Sequence, residues 1–219
     1  MFTDRRDAGR MLAARVAQQY ADSNVVVLGL ARGGVPVARE VAAAIGAPLD
    51  VFVVRKLGVP DHEELAMGAI ASGGVIVLNA DVVRLAGVAP EEIQRAAVRE
   101  ARELARREDA YRSGRRPLEL KDRTVIVVDD GLATGSSMRA AVQAIRKREP
   151  ARIVVAVPTA PASTCGELRG VVDDIICFTT PEPFGSVGQA YRSFAQTSDE
   201  EVRQLLDDGT AEFPDAERH

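Results

Sequence analysis

The chain has 219 residues, of which 46% are hydrophobic and 27% charged, with a formal net charge of −4. That balance suits one globular domain of ordinary size and excludes extensive disorder. The negative net charge argues against a surface built to hold nucleic acid non-specifically. No apolar run approaches membrane-spanning length, and the opening "MFTDRRDAGR" lacks the apolar core of a secretion signal. On these grounds the chain reads as cytoplasmic, with no membrane partner. Cys165 and Cys177, the only cysteines, are too few and too poorly spaced for a disulfide framework or a zinc site. They read as small core residues in a reducing compartment.

In chain order, "NVVVLGL" (24–30) is a continuous β-branched run, as in a strand buried on both faces. It runs into "GLARGGVP" (29–36), where glycines around Arg32 leave backbone N–H groups free at a helix start, a setting suited to an anion. A helix is expected over 34–45, then a strand over 49–54 whose end, "VVRKLG", presents Arg55 and Lys56. Residues 57–120 form an excursion. In it, "ELAMGAIASGGVIVLN" reads as a hairpin about a Ser-Gly-Gly turn, and Pro90 starts a long polar helix to about Arg112. Strands at 124–130, 151–157 and 171–178 follow, separated by helices over 136–148 and 161–170. This alternation implies an α/β, doubly wound, mostly parallel sheet, with ligands at the carboxyl ends of its strands. One domain is expected over 1–206, with 207–219 as a tail or linker.

The loop after the third core strand, within "VIVVDDGLATGSS", sets Asp129 and Asp130 beside a small, glycine-bearing turn. Gly131, Ala133, Thr134 and Gly135 let a ligand approach the backbone, and Ser136 and Ser137 at a helix start add hydroxyls and free N–H groups. A P-loop needs four residues between its glycines and then Lys, whereas "GLATGSS" has three and then Ser. Carboxylates beside an anion seat call for a ligand with donors at one end and a phosphate at the other. A ribose 5-phosphate is such a ligand; a divalent cation is the alternative partner for the acids.

"VIVVDDGLATGSS" resembles the thirteen-residue signature of the type I phosphoribosyltransferases: four hydrophobics, two acids, two variable positions, then a small residue, Thr, Gly and small hydroxylic residues. The resemblance implies that Asp129 and Asp130 hold the ribose hydroxyls of 5-phosphoribosyl 1-pyrophosphate (PRPP). Ala133, Thr134, Gly135, Ser136 and Ser137 would then seat its 5′-phosphate. It implies that Arg32, Gly33 and Gly34 grip pyrophosphate, and that Lys56, with Arg55 beside it, serves the leaving group. Arg32 and Lys56 are the expected catalytic residues. Mg2+ is the expected cofactor, held by Asp129 and Asp130 through ligand or water. His62, Glu63 and Glu64 fall in the segment matching the family's mobile lid and stay outside the site. The stretch 179–194 matches the hood over the incoming base, where Phe184 could stack on a planar ring.

The implied reaction displaces pyrophosphate from the anomeric carbon by a nitrogen nucleophile of a nucleobase-like acceptor. Ala133 departs from the 6-oxopurine members, which carry an acid there to assist proton removal from the base, so the acceptor stays open, with a purine as the leading guess. A different class of function rests on Arg95, Arg99, Arg102 and Arg106, one face of the long helix, followed by Arg112, Arg115 and Arg116. Such a stripe would let a PRPP-sensing regulator bind RNA or a protein, although Glu91, Glu100, Glu103 and Glu108 are placed to neutralise it. A homodimer stays open.

Overall fold

A computed structural model describes residues 1–21 and 24–211. The elements run, in order, α1 (Arg5–Tyr20), β1 (Val25–Leu30), α2 (Gly34–Ile45), β2 (Leu49–Phe52), β3 (Val54–Val59), β4 (His62–Ala71), β5 (Val75–Leu78), α3 (Ala80–Leu85), α4 (Pro90–Arg112), β6 (Thr124–Val128), α5 (Ser136–Arg146), β7 (Arg152–Thr159), α6 (Ala162–Leu168), β8 (Asp174–Thr179) and α7 (Asp199–Ala211), with a 3-10 turn at Val187–Ala190. Five parallel strands make one sheet in the order β2-β1-β6-β7-β8. Every residue of β1 is buried, as its unbroken aliphatic run requires when helices cover both faces. Two large apolar clusters lie on the sheet's opposite faces. One holds Val27, Val41 and Ile126, the other Leu28, Val127 and Ile145.

This strand order places a topological switch between β1 and β6. From β1 the chain crosses to β2 on one side; from β6 it crosses to β7 and β8 on the other. The loops leaving β1 and β6 therefore part in opposite directions and leave a crevice at the carboxyl ends.

The excursion is a separate antiparallel sheet in the order β3-β4-β5. The hairpin about Ser72–Gly74 forms as expected, with Gly73 and Gly74 at φ 83° and 75°. The strand expected over 49–54 instead divides: β2 ends at Phe52 and β3 begins at Val54. Arg55 and Lys56 thus belong to a strand pairing with Ile70 and Ala69, and the expected lid segment is the arm of a β-hairpin turning at Asp61, φ 64°. Helix α4 begins with Pro90 at its first turn, and the Glu92 carboxylate accepts from the Ala89 N–H at 3.0 Å.

Three further outcomes differ from the sequence expectations. Residues 5–20 form α1, capped by Asp4, whose side chain accepts from the Asp7 N–H at 2.8 Å. Helix α7 continues to Ala211, past the boundary expected at 206, and 212–219 lie outside the described residues. Cys165 and Cys177 are joined in a disulfide rather than standing as free core thiols. Helix α6 packs back along β8, which brings two residues separated by 12 positions to a Cα–Cα distance of 6.7 Å. The reducing compartment inferred from free thiols loses its support.

Candidate active site

The two loops expected to hold ligand come into contact at the base of the crevice between β1 and β6. A methyl group added at Gly33 would stand 2.1 Å from Oδ2 of Asp130, and one at Gly34 would stand 2.5 Å from the Val128 carbonyl oxygen and 3.2 Å from Oδ1 of Asp129. Only glycine lets the Arg32–Gly34 turn lie this close to the acids. The N-terminus of α2, expected to take an anion, and the acid pair are therefore direct neighbours.

The two acids differ in their surroundings. Burial, then the neighbouring Asp130 charge, raises the Asp129 carboxyl well above the ordinary carboxylate range. Burial also raises Asp130, but Arg5 opposes it. Arg5 Nε donates to Oδ2 of Asp130 at 2.8 Å, with both side chains largely buried. Its Nη1 donates to the Ala195 carbonyl at 2.5 Å, and its guanidinium lies 4.0 Å from the centre of the Phe194 ring. Phe194 stacks on Tyr191 at 4.9 Å, and the Tyr191 hydroxyl donates to the Asp130 carbonyl. Arg5, Asp130, Tyr191 and Phe194 thus form a closed circuit joining α1, the acid loop and the hood. Tyr191 and Phe194 fell inside the expected hood without a role. Arg5 carried no signal, because the helix presenting it was not recognised.

The turn expected to seat phosphate is shaped from behind. Gly135 is left-handed at φ 68°, and a methyl group there would stand 3.0 Å from Cγ2 of Thr164. The Thr164 hydroxyl donates to the Ala133 carbonyl at 2.8 Å. Arg139 donates to the Thr134 carbonyl and pairs with Glu167 at 3.0 Å. Thr134 and Ser136 share a hydrogen bond of 2.8 Å between their hydroxyls. Thr164 and Arg139, which sequence reading did not single out, hold the turn open from α6 and α5.

The remaining expected residues divide. Lys56 lines the same cleft of 490 Å³ as Ser136 and Ser137, so the hairpin sheet brings this cation to the start of α5. Arg55 points instead to α4, where its Nη2 pairs with Glu100 at 2.6 Å. Arg32 reaches Asp199 of α7 at 3.4 Å. Phe184 lines a separate cavity of 420 Å³ under the hood. His62 and Glu64 pair at 3.4 Å on an exposed surface, away from these groups. In the arginine stripe, Arg99 pairs with Glu100 at 3.2 Å and Arg106 with Glu103 at 2.8 Å. Arg112 is buried against Asp50 at 2.9 Å and Glu108 at 3.0 Å.

Residues 3–186 match the family model of the phosphoribosyl transferase domain. The chain belongs to the phosphoribosyltransferase family. Two Mycobacterium tuberculosis proteins, Rv0571c of strain H37Rv and MT0597 of strain CDC 1551, are each 48% identical to this chain over 99% of it. Both bear the name of a phosphoribosyl transferase as a provisional one. The chain spans about half the length of these curated relatives, 48% of each. The crystal structure of TT1426 from Thermus thermophilus superposes with a TM-score of 0.82 at 40% identity, covering 94% of this chain and 97% of that one. AQ2163 from Aquifex aeolicus, at a TM-score of 0.50 and 14% identity over 92% of this chain and 84% of that one, shares the fold. The phosphoribosyltransferase match extends across the ARGG turn, the excursion, the acid loop and the start of the hood. Among the described residues, no helix is long and apolar enough to cross a membrane.

Proposed function

We propose that the chain transfers the 5-phosphoribosyl group of PRPP to a ring nitrogen of a nucleobase-like acceptor, with a purine favoured, and releases pyrophosphate. The observation that carries this reading is the contact of the Arg32–Gly34 turn with the acid pair, with Gly33 and Asp130 at 2.1 Å from methyl position to oxygen. A ligand filling that crevice must present an anion to α2, hydroxyls to Asp129 and Asp130, and a second anion to the turn at Ala133–Ser137. PRPP has all three groups in that order.

In this reading the acceptor nitrogen's lone pair forms the new bond to the anomeric carbon, and the C–O electron pair leaves with pyrophosphate. The acceptor's N–H proton passes to the pyrophosphate or to solvent. Asp129 and Asp130 orient the ribose, while Arg32 and Lys56 place positive charge where the leaving group gains negative charge. Arg55, paired with Glu100, acts at most by supporting Lys56. Among the described residues no group of three or more His, Cys, Asp or Glu could hold a metal alone. Two adjacent carboxylates, one already bound by Arg5, nevertheless suit Mg2+, which keeps several waters and binds through one or two carboxylates plus substrate phosphates. When bound, it would neutralise the pyrophosphate oxygens. A PRPP-sensing role through the arginine stripe would need free guanidinium groups, whereas Arg99 and Arg106 are ion-paired.

The test is pyrophosphate release by the purified chain with Mg2+, PRPP and a panel of bases. One base is expected to support release, and tight PRPP binding without release for any base would sink the enzyme reading. Asp129→Asn combined with Asp130→Asn should abolish PRPP binding while circular dichroism stays unchanged.

A further inference from the structure

The turn expected to seat the 5′-phosphate is tethered to α6 through two side chains. The Thr164 hydroxyl donates to the Ala133 carbonyl at 2.8 Å. Glu167 pairs at 3.0 Å with Arg139, whose guanidinium in turn donates to the Thr134 carbonyl. Helix α6 itself is short. It has 7 residues, no side-chain cap at its start, and buries only Thr164, Cys165 and Leu168. A helix of that length does not hold its shape alone, so its place depends on those three side chains. One of them, Cys165, is bonded covalently to Cys177 of β8. The disulfide thus sits one residue from the threonine that holds the turn.

The bond lies beside a groove of 400 Å³ lined by both cysteines, with Arg15, Arg169 and Asp174 among the residues around them. Cys165 is buried, whereas Cys177 is half-buried. Asp174 accepts a hydrogen bond from the Tyr20 hydroxyl, and Arg152 lies 3.9 Å from its carboxylate. Arg15 and Arg169 give the groove positive charge, which favours a thiolate over a thiol.

We propose that Cys165–Cys177 is a redox site: a thiol reductant opens it in the folded chain, and opening it weakens PRPP binding by freeing α6 and, with it, the turn. The coupling rests on the proposed function above; the thiol chemistry does not. A reductant thiolate attacks Sγ of Cys177, the less buried partner. The S–S bond breaks, and its electron pair leaves on Sγ of Cys165, which takes a proton. The reductant's second thiolate then attacks the mixed disulfide and closes the reductant's own disulfide. Cys177 leaves as a thiolate and takes the second proton. One protein disulfide and one dithiol become two protein thiols and one reductant disulfide. The segment from Cys165 to Cys177 then loses its loop constraint, and α6 keeps Leu168 as its apolar anchor. Thr164 and Glu167 no longer hold the turn in one place.

The purified chain is compared oxidised, reduced by dithiothreitol and reoxidised, with circular dichroism recorded in each state. Dithiothreitol should release both cysteine thiols without unfolding the chain; thiols that appear only in denaturant would overturn the proposal. Calorimetric titration with PRPP and Mg2+ should give a Kd about tenfold higher for the reduced chain, the worth of about one hydrogen bond. Reoxidation should restore the parent Kd. An oxidised chain that binds no PRPP overturns the proposed function and the coupling with it, while one that binds with the same Kd in both states overturns the coupling alone. Cys165→Ala with Cys177→Ala should bind as the reduced chain does and ignore dithiothreitol; binding like the oxidised parent overturns the inference. In Thr164→Val with Glu167→Gln, which lacks both tethers, reduction should change the Kd by less than about twofold. An undiminished effect there overturns the route through α6. The coupling is also reciprocal: saturating PRPP should make the bond about tenfold harder to reduce in dithiothreitol redox buffers, a shift of about 30 mV. An unshifted midpoint overturns the proposal.

Discussion

Replacing Gly33 with alanine tests the site at the contact on which its assignment rests. The new methyl carbon would stand 2.1 Å from Oδ2 and 2.8 Å from Cγ of Asp130. A comfortable carbon–oxygen approach is roughly 3.3 Å, so the carboxylate must withdraw by about 1 Å. It cannot turn freely, because Arg5 Nε binds that same oxygen at 2.8 Å and would itself stand 3.3 Å from the methyl carbon. Misplacing a positioning group by 1 Å costs on the order of 100-fold, or about 2.7 kcal/mol of binding or transition-state energy. The backbone raises no objection: Gly33 sits at φ −61° and ψ −30°, where alanine is comfortable. Calorimetric titration with PRPP and Mg2+ should therefore show a Kd raised about 100-fold, with a melting temperature lowered only by the strain at the Arg5–Asp130 pair. A Kd within threefold of the parent at unchanged stability would refute the placement of Asp130 in the ribose seat.

Other substitutions separate stability from ligand binding. Gly166 is exposed in α6 with open space where a methyl group would go; Gly166→Ala should stabilise the protein by about 0.5–1 kcal/mol in urea denaturation and leave PRPP affinity unchanged. Asp129→Asn should lose PRPP binding yet gain stability at neutral pH. Burial and the Asp130 charge raise the folded-state Asp129 carboxyl above its ordinary value of 3.8, so the native state favours the protonated form. Stability then falls as pH rises from the unfolded value through the folded one. The advantage of asparagine should be about 1–3 kcal/mol near pH 7 and should vanish toward about pH 4, as thermal melts across pH would show. Asp50 accepts from Arg112 Nε at 2.9 Å, the Val51 N–H at 2.7 Å and the Leu118 N–H at 3.1 Å. Asp50→Ala leaves the buried guanidinium with Glu108 alone among carboxylates and should cost about 3–5 kcal/mol. An Asp50→Leu, Arg112→Met pair measured by urea denaturation should recover much of it.

Where the chain punctuates itself, the elements were legible. Gly33–Gly34 and the left-handed Gly46 bracket α2, and Pro90 opens α4, so both helices lie where the sequence places them. The loop carrying Asp129 and Asp130 was legible for a related reason: its whole motif is carried by contiguous residues. Features that depend on a distant partner were not. Strand β3 has no apolar alternation strong enough to separate it from β2, and it exists because Ile70 and Ala69 pair with it. Helix α1 buries a face of Ala8, Leu12, Ala13 and Val16, but arginines and alanines interrupt that stripe in the sequence. The Cys165–Cys177 bond depends on how α6 lies on β8.

The circuit through Arg5 bears on how the protein is made. Arg5 is separated by 125 residues from Asp130 and by 190 from Ala195, both of which it binds. Closing a loop of that larger size costs about 5 kcal/mol in chain entropy, so these contacts form after the sheet that supports them. A chain growing from its amino end completes both glycine-bearing turns well before Tyr191 and Phe194 emerge to lock the acid. The ribose seat is thus among the last features to mature, and a nascent chain halted after β8 would carry the whole signature yet hold Asp130 loosely.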